Sequence, residues 1–218
     1  MLLACIVPSS HGAPSAEISA PVLLGGQASL SVDHWRQHAT LRVQTFRVQA
    51  APLPEDRQGI ALGECRSIVP VSTGEGMVFE DEQVSAMCPG HTLTLQDQHS
   101  GGSTWALDPM PEAGLVCTIA IGGVSAKLPP LPAAPALEQK GRTLTWEPTG
   151  ADEVRLVNLD FSDESGVCRL VDQGSAKLPM SMRRGTLLVT WHSARLTQVN
   201  KRPMSLSATA GTWLKDPN

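Results

Sequence analysis

The sequence predicts an all-β protein built from two β-sandwich domains. Its 17 prolines and 19 glycines are spread along 218 residues and leave no stretch suited to a long helix. Between them lie short apolar segments with alternating side chains, separated by turn signals at the spacing of about 8–12 residues that is typical of sandwiches. A proline-rich segment then divides the chain into two pieces of ordinary domain size.

The composition limits the kinds of partner. The net charge is -4 and the sequence pI is about 5.8, whereas a nucleic-acid-binding surface is basic. We therefore exclude nucleic acid as a partner. Charged residues make up only 17% of the chain, so the surface is expected to be rich in Ser, Thr, Gln and Gly, as in many exported β proteins.

The N-terminal segment, residues 1–16, is expected to be a truncated signal leader and tether. Residues 2–5 (LLAC) resemble the lipobox of bacterial lipoproteins, which implies that Cys5 would be acylated. Because no Lys or Arg precedes Arg36, we expect the basic part of the leader to lie upstream. Acylation of Cys5 and plain cleavage after Ala13 or Ala16 both remain open.

The remaining cysteines also favour export. Without Cys5 the chain has an even set of four, which is typical of a disulfide framework: Cys65, Cys88, Cys117 and Cys168. Four cysteines allow three pairings, and the sequence does not choose among them. The pairing we favour joins Cys65 to Cys88 within the first domain and Cys117 to Cys168 between domains.

The first domain is expected to span residues 17–128. Within it the alternation predicts strands at 28–32, 40–49, 65–71, 91–96 and 115–121. The apolar side chains of the second strand change face near Thr45. A short helical turn is expected at 31–38, with Asp33 as its cap.

The linker is expected at residues 129–137, where closely spaced prolines favour a semi-rigid extended spacer. The second domain then spans 138–218. Its strands are predicted at 142–147, 153–160, 167–171, 186–191, 194–199 and 204–209. In the second of these the apolar face switches at Val157, which predicts a β-bulge.

Residues 144–148 (LTWEP) are followed by a turn and then by Val154 and Leu156. This stretch resembles the opening of fibronectin type III and related immunoglobulin-like domains. The resemblance implies that Trp146 packs into a sandwich core. The chain has no Tyr, so the tyrosine corner common in such domains is missing.

The pentapeptide SAKLP occurs at 125–129 and again at 175–179. A cysteine on an apolar strand precedes each copy, Cys117 in the first case and Cys168 in the second. This echo fits a duplication, and it also fits a strand ending that two unrelated segments share. More broadly, the Gly-Gly strand end, the proline-rich link and the LTW strand resemble uncharacterised exported proteins of myxobacteria, which implies location and architecture only.

Motifs for chemistry are sparse, and we predict no catalytic residue, no metal site and no cofactor. Residues 34–38 (HWRQH) place two histidines four apart but lack the Glu of a zinc protease motif. Residues 158–164 place oxygen ligands at alternate positions, as in a calcium loop, but an outward strand face entering an acidic turn has the same pattern. We take the second interpretation.

The five tryptophans offer a further kind of site. Trp146 and Trp191 alternate with apolar neighbours and are expected in the core. Trp105 and Trp35 lie among polar and turn residues, so these two are the candidates for facing a ligand. An exposed tryptophan on a sandwich surface is typical of a carbohydrate-binding platform.

The sequence therefore indicates a non-catalytic exported protein of the cell envelope with a structural or protein-interaction role. The alternative is a carbohydrate-binding module, and a secreted hydrolase stands third. The expected partner is an unknown protein or envelope component, and the expected location is periplasmic, anchored at the outer membrane or extracellular. No segment has the roughly 20 apolar residues of a membrane-spanning helix, which leaves a lipid anchor as the route to a membrane.

Overall fold

The computed structural model describes residues 22–49, 61–68, 77–79, 83–99, 102–159, 165–179, 182 and 186–214. Cys5 and the rest of the expected leader lie outside these residues. The described chain forms sixteen strands: β1 (Val22–Asp33), β2 (His38–Gln49), β3 (Cys65–Ile68), β4 (Met77–Phe79), β5 (Val84–Met87), β6 (Thr92–His99), β7 (Gly102–Asp108), β8 (Thr118–Ile121), β9 (Val124–Lys127), β10 (Glu138–Lys140), β11 (Thr143–Thr145), β12 (Glu153–Leu159), β13 (Ser165–Leu170), β14 (Ser175–Lys177), β15 (Thr186–Val199) and β16 (Arg202–Leu214).

The strands form one large sheet and two small ones. The ten-stranded sheet has the order β3-β13-β12-β15-β16-β1-β2-β7-β6, and β4 pairs with β2. One three-stranded sheet has the order β5-β8-β9 and the other β10-β11-β14. The all-β class is therefore confirmed.

Each small sheet packs against part of the large one and encloses a hydrophobic core. The first core joins β1, β2, β7 and β16 of the large sheet to Ile119 and Ile121 of β8. The second joins β12, β13 and β15 to Leu144 of β11. Trp191 of the second core and Ala210 of the first are direct cross-strand partners, so they point to the same side of the sheet. Both small sheets therefore cover the same face of the large sheet.

The long hairpin β15–β16 connects the two cores. Its strands have 14 and 13 residues and are joined by a two-residue turn, Asn200 and Lys201, both with positive φ as a type I′ turn requires. Beyond this pairing, β16 runs parallel to β1 over eight residues, from Met204 beside Gly26 onward. A side chain at Gly26 would collide with the Met204 thioether, so glycine permits this close approach.

The second half of the chain is a seven-stranded sandwich. The sheet of β10, β11 and β14 faces β12, β13, β15 and β16 across the second core. Its fourth strand, β13, pairs with the third, whereas in constant-type immunoglobulin domains the fourth strand joins the first, second and fifth. Trp146 is buried directly after β11, with its ring edge-on to Trp191 at 6.4 Å, so both lie in the core as the sequence predicts.

The four cysteines pair completely, but the favoured pairing is wrong. The disulfides are Cys65–Cys168 and Cys88–Cys117. Cys65 and Cys168 are direct partners in the β3–β13 ladder, and Cys88 and Cys117 extend the β5–β8 register by one residue. Strand pairing therefore decides the connectivity, and strand pairing is a tertiary property that cysteine spacing does not reveal.

Three local expectations also need correction. The predicted bulge at Val157 is absent, because β12 keeps a continuous register with β15 from Glu153 to Leu159, and polar Asn158 occupies a buried position. The register of β2 with β1 is likewise continuous at Thr45, which lies buried on the core side. The expected helical turn at 31–38 is a hairpin turn at 34–37.

The proline-rich segment is packed rather than extended into solvent. Leu131 lies in the first core, and its amide donates to the carbonyl of Leu115. Ala134 contacts both cores. The domain boundaries at 17–128, 129–137 and 138–218 stay a prediction, since strands from both halves share the large sheet.

The two SAKLP copies have similar surroundings but different partners. Each SAK triplet is an edge strand of a three-stranded sheet, and each is followed by a buried leucine, Leu128 or Leu178. However, β9 pairs with β8, which continues from Cys117, whereas β14 pairs with β11 and not with the Cys168 strand. The echo therefore reflects a shared strand ending.

We expect peptide mapping without reductant to recover one peptide pair joined through Cys65 and Cys168. The double variant C65S/C168S should lose more stability than C88S/C117S. The first bond spans 103 residues and the second 29. Because each bond restricts the unfolded chain, its removal should lower the free energy of unfolding, by ~4.7 kcal/mol for the first and ~3.6 kcal/mol for the second. Urea unfolding measures both. A peptide joining Cys65 to Cys88 would contradict the fold.

Candidate functional site

The candidate site lies on the open face, by which we mean the side of the ten-stranded sheet away from both small sheets. Directly paired residues point to the same side, so the strand register gives the rows of side chains on this face. Three adjacent rows are Trp213–Leu188–Val157–Val167, then Asp33–Gly211–Thr190–Arg155–Arg169, then Ser31–Thr209–His192–Glu153. The face thus combines one apolar row with hydroxyl, guanidinium and carboxylate groups.

Asp33 organises one end of this face. One oxygen of its carboxylate, Oδ1, accepts the backbone N–H groups of Trp35 and Arg36, which fixes the β1–β2 turn. The other, Oδ2, accepts the indole N–H of Trp213 at 3.0 Å. The Arg36 guanidinium lies over the Trp213 ring, 5.4 Å from its centroid, and Trp35 at the turn is 54% exposed.

Glu153 organises the other end. Its side chain is only 5% exposed and accepts from Arg155 Nε at Oε1 and from Arg169 Nε at Oε2, the latter at 2.7 Å. Burial alone would raise the pKa of Glu153, but the hydrogen bond from Arg169 and the charge of Arg155 outweigh it and hold the pKa below its ordinary value. This carboxylate therefore stays ionised and holds two cations on the face.

His192 lies between these two ends. Its Nδ1 is 2.8 Å from the hydroxyl of Thr209, its cross-strand partner. Burial lowers the pKa of His192, and the positive charge of Arg155 lowers it further, while Glu153 opposes the shift. The imidazole is therefore uncharged near neutral pH, and the positive charge of this face comes from its arginines.

The predicted ligand-facing tryptophans differ in exposure. Trp35 lies at the exposed β1–β2 turn, whereas Trp105 of β7 is partly buried against the first core. Its partner in β2 is Leu41, so Trp105 points to the core side and not to the open face. Of the two sequence candidates, Trp35 is thus the exposed one.

Among the described ranges, no group of three or more His, Cys, Asp or Glu side chains is placed to hold a metal ion. The acidic run considered for calcium lies mostly outside the described residues, and Asn158 is buried on the core side. His34 and His38 are both exposed at the β1–β2 turn.

Sequence reasoning missed Trp213, Arg155 and Arg169. Trp213 follows Ala208 and Ala210 in a strand whose alternation is clear, so its outward position could have been read from the pattern. The meeting of Trp213 with Arg36 could not, because it depends on the parallel pairing of β1 with β16.

Apart from the open face, a cleft of about 550 Å³ lies between the two halves. Its walls are the proline-rich segment 129–133, the loop 149–152 and residues 193–195 of β15. Asp172 fixes the loop by accepting hydrogen bonds from Trp146, Thr149 and Ala151. Burial would raise the pKa of Asp172, but these donors lower it further than burial raises it.

No protein-family model matches the chain, and no curated protein is significantly similar to it. Among solved structures, the tandem Ig repeats of Dlar align with 11% identity over 90% of this chain and 99% of that chain, at a TM-score of 0.24. A likeness at that TM-score carries no conclusion about fold or function. The described chain contains no helix long and apolar enough to cross a bilayer.

The pKa of His192 predicts a loss of stability in mild acid. Since the folded protein holds this pKa below about 6.5, the unfolded chain binds the proton first as the pH falls, and stability declines from that pH downward. We expect H192Q to flatten the decline between about pH 7 and pH 5.5. The control H34Q, at an exposed position, should keep it. The measurement is the urea midpoint of unfolding at several pH values across this range. If H192Q loses stability with falling pH as steeply as the wild type, His192 is not the group responsible.

Proposed function

We propose that this chain is a non-catalytic exported protein of the cell envelope with a structural or protein-interaction role. The observation that carries the proposal is the complete pairing of Cys65 with Cys168 and Cys88 with Cys117. Disulfides of this structural kind persist in oxidising compartments and are rare in the cytosol. The proposed location is the periplasm, the outer membrane through a lipid anchor, or the extracellular space.

The interaction role is supported by the shape and chemistry of the open face. It is a surface of paired strands bearing an indole, guanidinium groups and hydroxyls, and Trp35 and Arg36 are exposed at the adjoining β1–β2 turn. Aromatic and arginine side chains are the ones most enriched at protein interfaces. The partner remains an unknown protein or envelope component.

A second candidate function is carbohydrate binding, and the exposed Trp35 beside Asp33 and Arg36 favours it. Trp35 is the most exposed aromatic ring among the described residues, and it adjoins Asp33 and Arg36, which offer polar groups beside the indoles. An indole stacks on the C–H face of a sugar ring while neighbouring polar groups bind its hydroxyls. This candidate uses Trp35 and not Trp105.

Export predicts the state of the thiols and of the N-terminus. In cells that express the protein from its native locus, fractionation should place it outside the cytoplasm, and a thiol-reactive mass tag should label Cys65, Cys88, Cys117 and Cys168 only after reduction. Mass spectrometry of the mature N-terminus then separates acylated Cys5 from the N-terminus that cleavage after Ala13 or Ala16 would leave. Protein with free thiols in the cytosolic fraction would overturn the proposal.

The interaction role predicts contacts on one face. A photo-crosslinking residue in place of Ser205, exposed on the open face of β16, should give adducts in intact cells. The matched control replaces Ser125, exposed on β9 of a small sheet. We expect adducts from the first position and few from the second, as judged by immunoblot. Equal yields from both, or none from either, would argue against a partner on this face.

A further inference from the structure

Three arginines reach solvent on the open face and at the β1–β2 turn, although the protein carries a net charge of -4. The side chains of Arg36, Arg155 and Arg169 are 69%, 41% and 36% exposed. The carboxylates that hold them, Asp33 and Glu153, are only 26% and 5% exposed.

Two of these arginines, Arg155 and Arg36, are held in place with donors to spare. Glu153 accepts a hydrogen bond from Arg155 Nε, which is one of the five N–H donors of a guanidinium. Within the described part of the chain, the two terminal amino groups of Arg155 donate to no other group. Arg36 is fixed over the Trp213 ring, with its Nε 3.7 Å from Asp33. A carboxylate or sulfate group is the ligand that such planar donors bind best.

The surroundings of the arginines favour a sugar over a peptide. The rows beside them carry Ser31, Thr190 and Thr209, which offer hydroxyls to the hydroxyls of a ligand, and Trp35 offers an exposed ring at the rim. All of these groups belong to strand interiors or to a tight turn, so the backbone holds them in place before a ligand binds. An array of hydroxyls, guanidiniums and an indole matches an extended acidic polysaccharide.

We propose that the open face between Trp35 and Arg169 binds an anionic polysaccharide, with Arg36 and Arg155 contacting its carboxylate or sulfate groups and Trp35 stacking on a sugar ring. This inference rests on the carbohydrate-binding candidate above and adds the charge of the ligand. Because the contacts are partly ionic and exposed, added salt weakens the binding.

The test uses pairs of polymers that differ only in charge. Polygalacturonate is compared with its methyl ester, and dextran sulfate with dextran, by calorimetric titration of the full chain. We expect the charged member of at least one pair to bind ten or more times more tightly than its neutral partner, which corresponds to about 1.4 kcal/mol. Poly-L-glutamate, an acidic polypeptide, should bind more weakly than the acidic polysaccharide.

Variants locate the site. R36Q should weaken binding of the acidic polymer about tenfold without touching Glu153, and R155Q should do the same if its thermal melt shows that it folds. W35A should weaken both members of a pair. The controls are K177Q, an exposed charge on β14, and M87A, an exposed apolar side chain on β5, and both should bind as the wild type does.

Each remaining outcome has a distinct meaning. Equal binding of the charged and neutral members overturns the anionic ligand and leaves the carbohydrate candidate standing. Poly-L-glutamate binding as tightly as the polysaccharide overturns the sugar and assigns the face to acidic protein. If K177Q weakens polymer binding as much as R36Q does, net charge alone accounts for the binding, and the assignment to the open face is overturned. No binding to any polysaccharide rejects the carbohydrate candidate itself.

Discussion

The pairing of β16 with both β15 and β1 is the constraint on which the rest of the molecule depends. Through it, one strand near the end of the chain completes the first core with Met204, Leu206 and Ala208, while its hairpin partner supplies Leu187 and Trp191 to the second. The strand has 13 residues, and its buried positions alternate from Arg202 to Ala210. Without it, the β1–β2 hairpin would have an unpaired edge and the first core would lack a wall.

The second link between the halves lies at one edge of the large sheet. Strand β3 comes from the first half of the chain, yet it pairs only with β13 of the second half and is bonded to it through Cys65 and Cys168. The chain therefore crosses between the halves more than once. Together with Leu131 in the first core, these crossings explain why the proline-rich segment lies packed between the two sandwiches.

Much of the strand content could be predicted from the sequence, and its pairing could not. Alternation locates β2, β12 and β16 because each has one buried face. The edge strands β10 and β14 have three residues each, too few for a period to be visible. The predicted break between residues 191 and 194 is absent, since β15 continues past the second core to reach the first.

The side chains of the candidate site could likewise be predicted from the sequence only in part. Trp35 could be identified from its polar neighbours and its turn, and the structure places it in the open. Arg155 and Arg169 are ordinary strand residues in the sequence, and only the register of β12 with β13 places them side by side over Glu153. Sites made from outward residues of neighbouring strands lack a local signature, because each strand contributes one or two residues.

The parallel direction of β1 and β16 has a mechanical consequence. In a parallel pair, the beginning of one strand and the end of the other lie at opposite ends of the ladder. Tension applied between the two ends of the described chain, at Val22 and Leu214, therefore acts along the strands in shear. The hydrogen bonds between the strands then bear the load together, whereas in an antiparallel hairpin pulled from its open end they break one at a time. A chain tethered near its N-terminus and held by a partner at its far end would resist stretching through this one ladder.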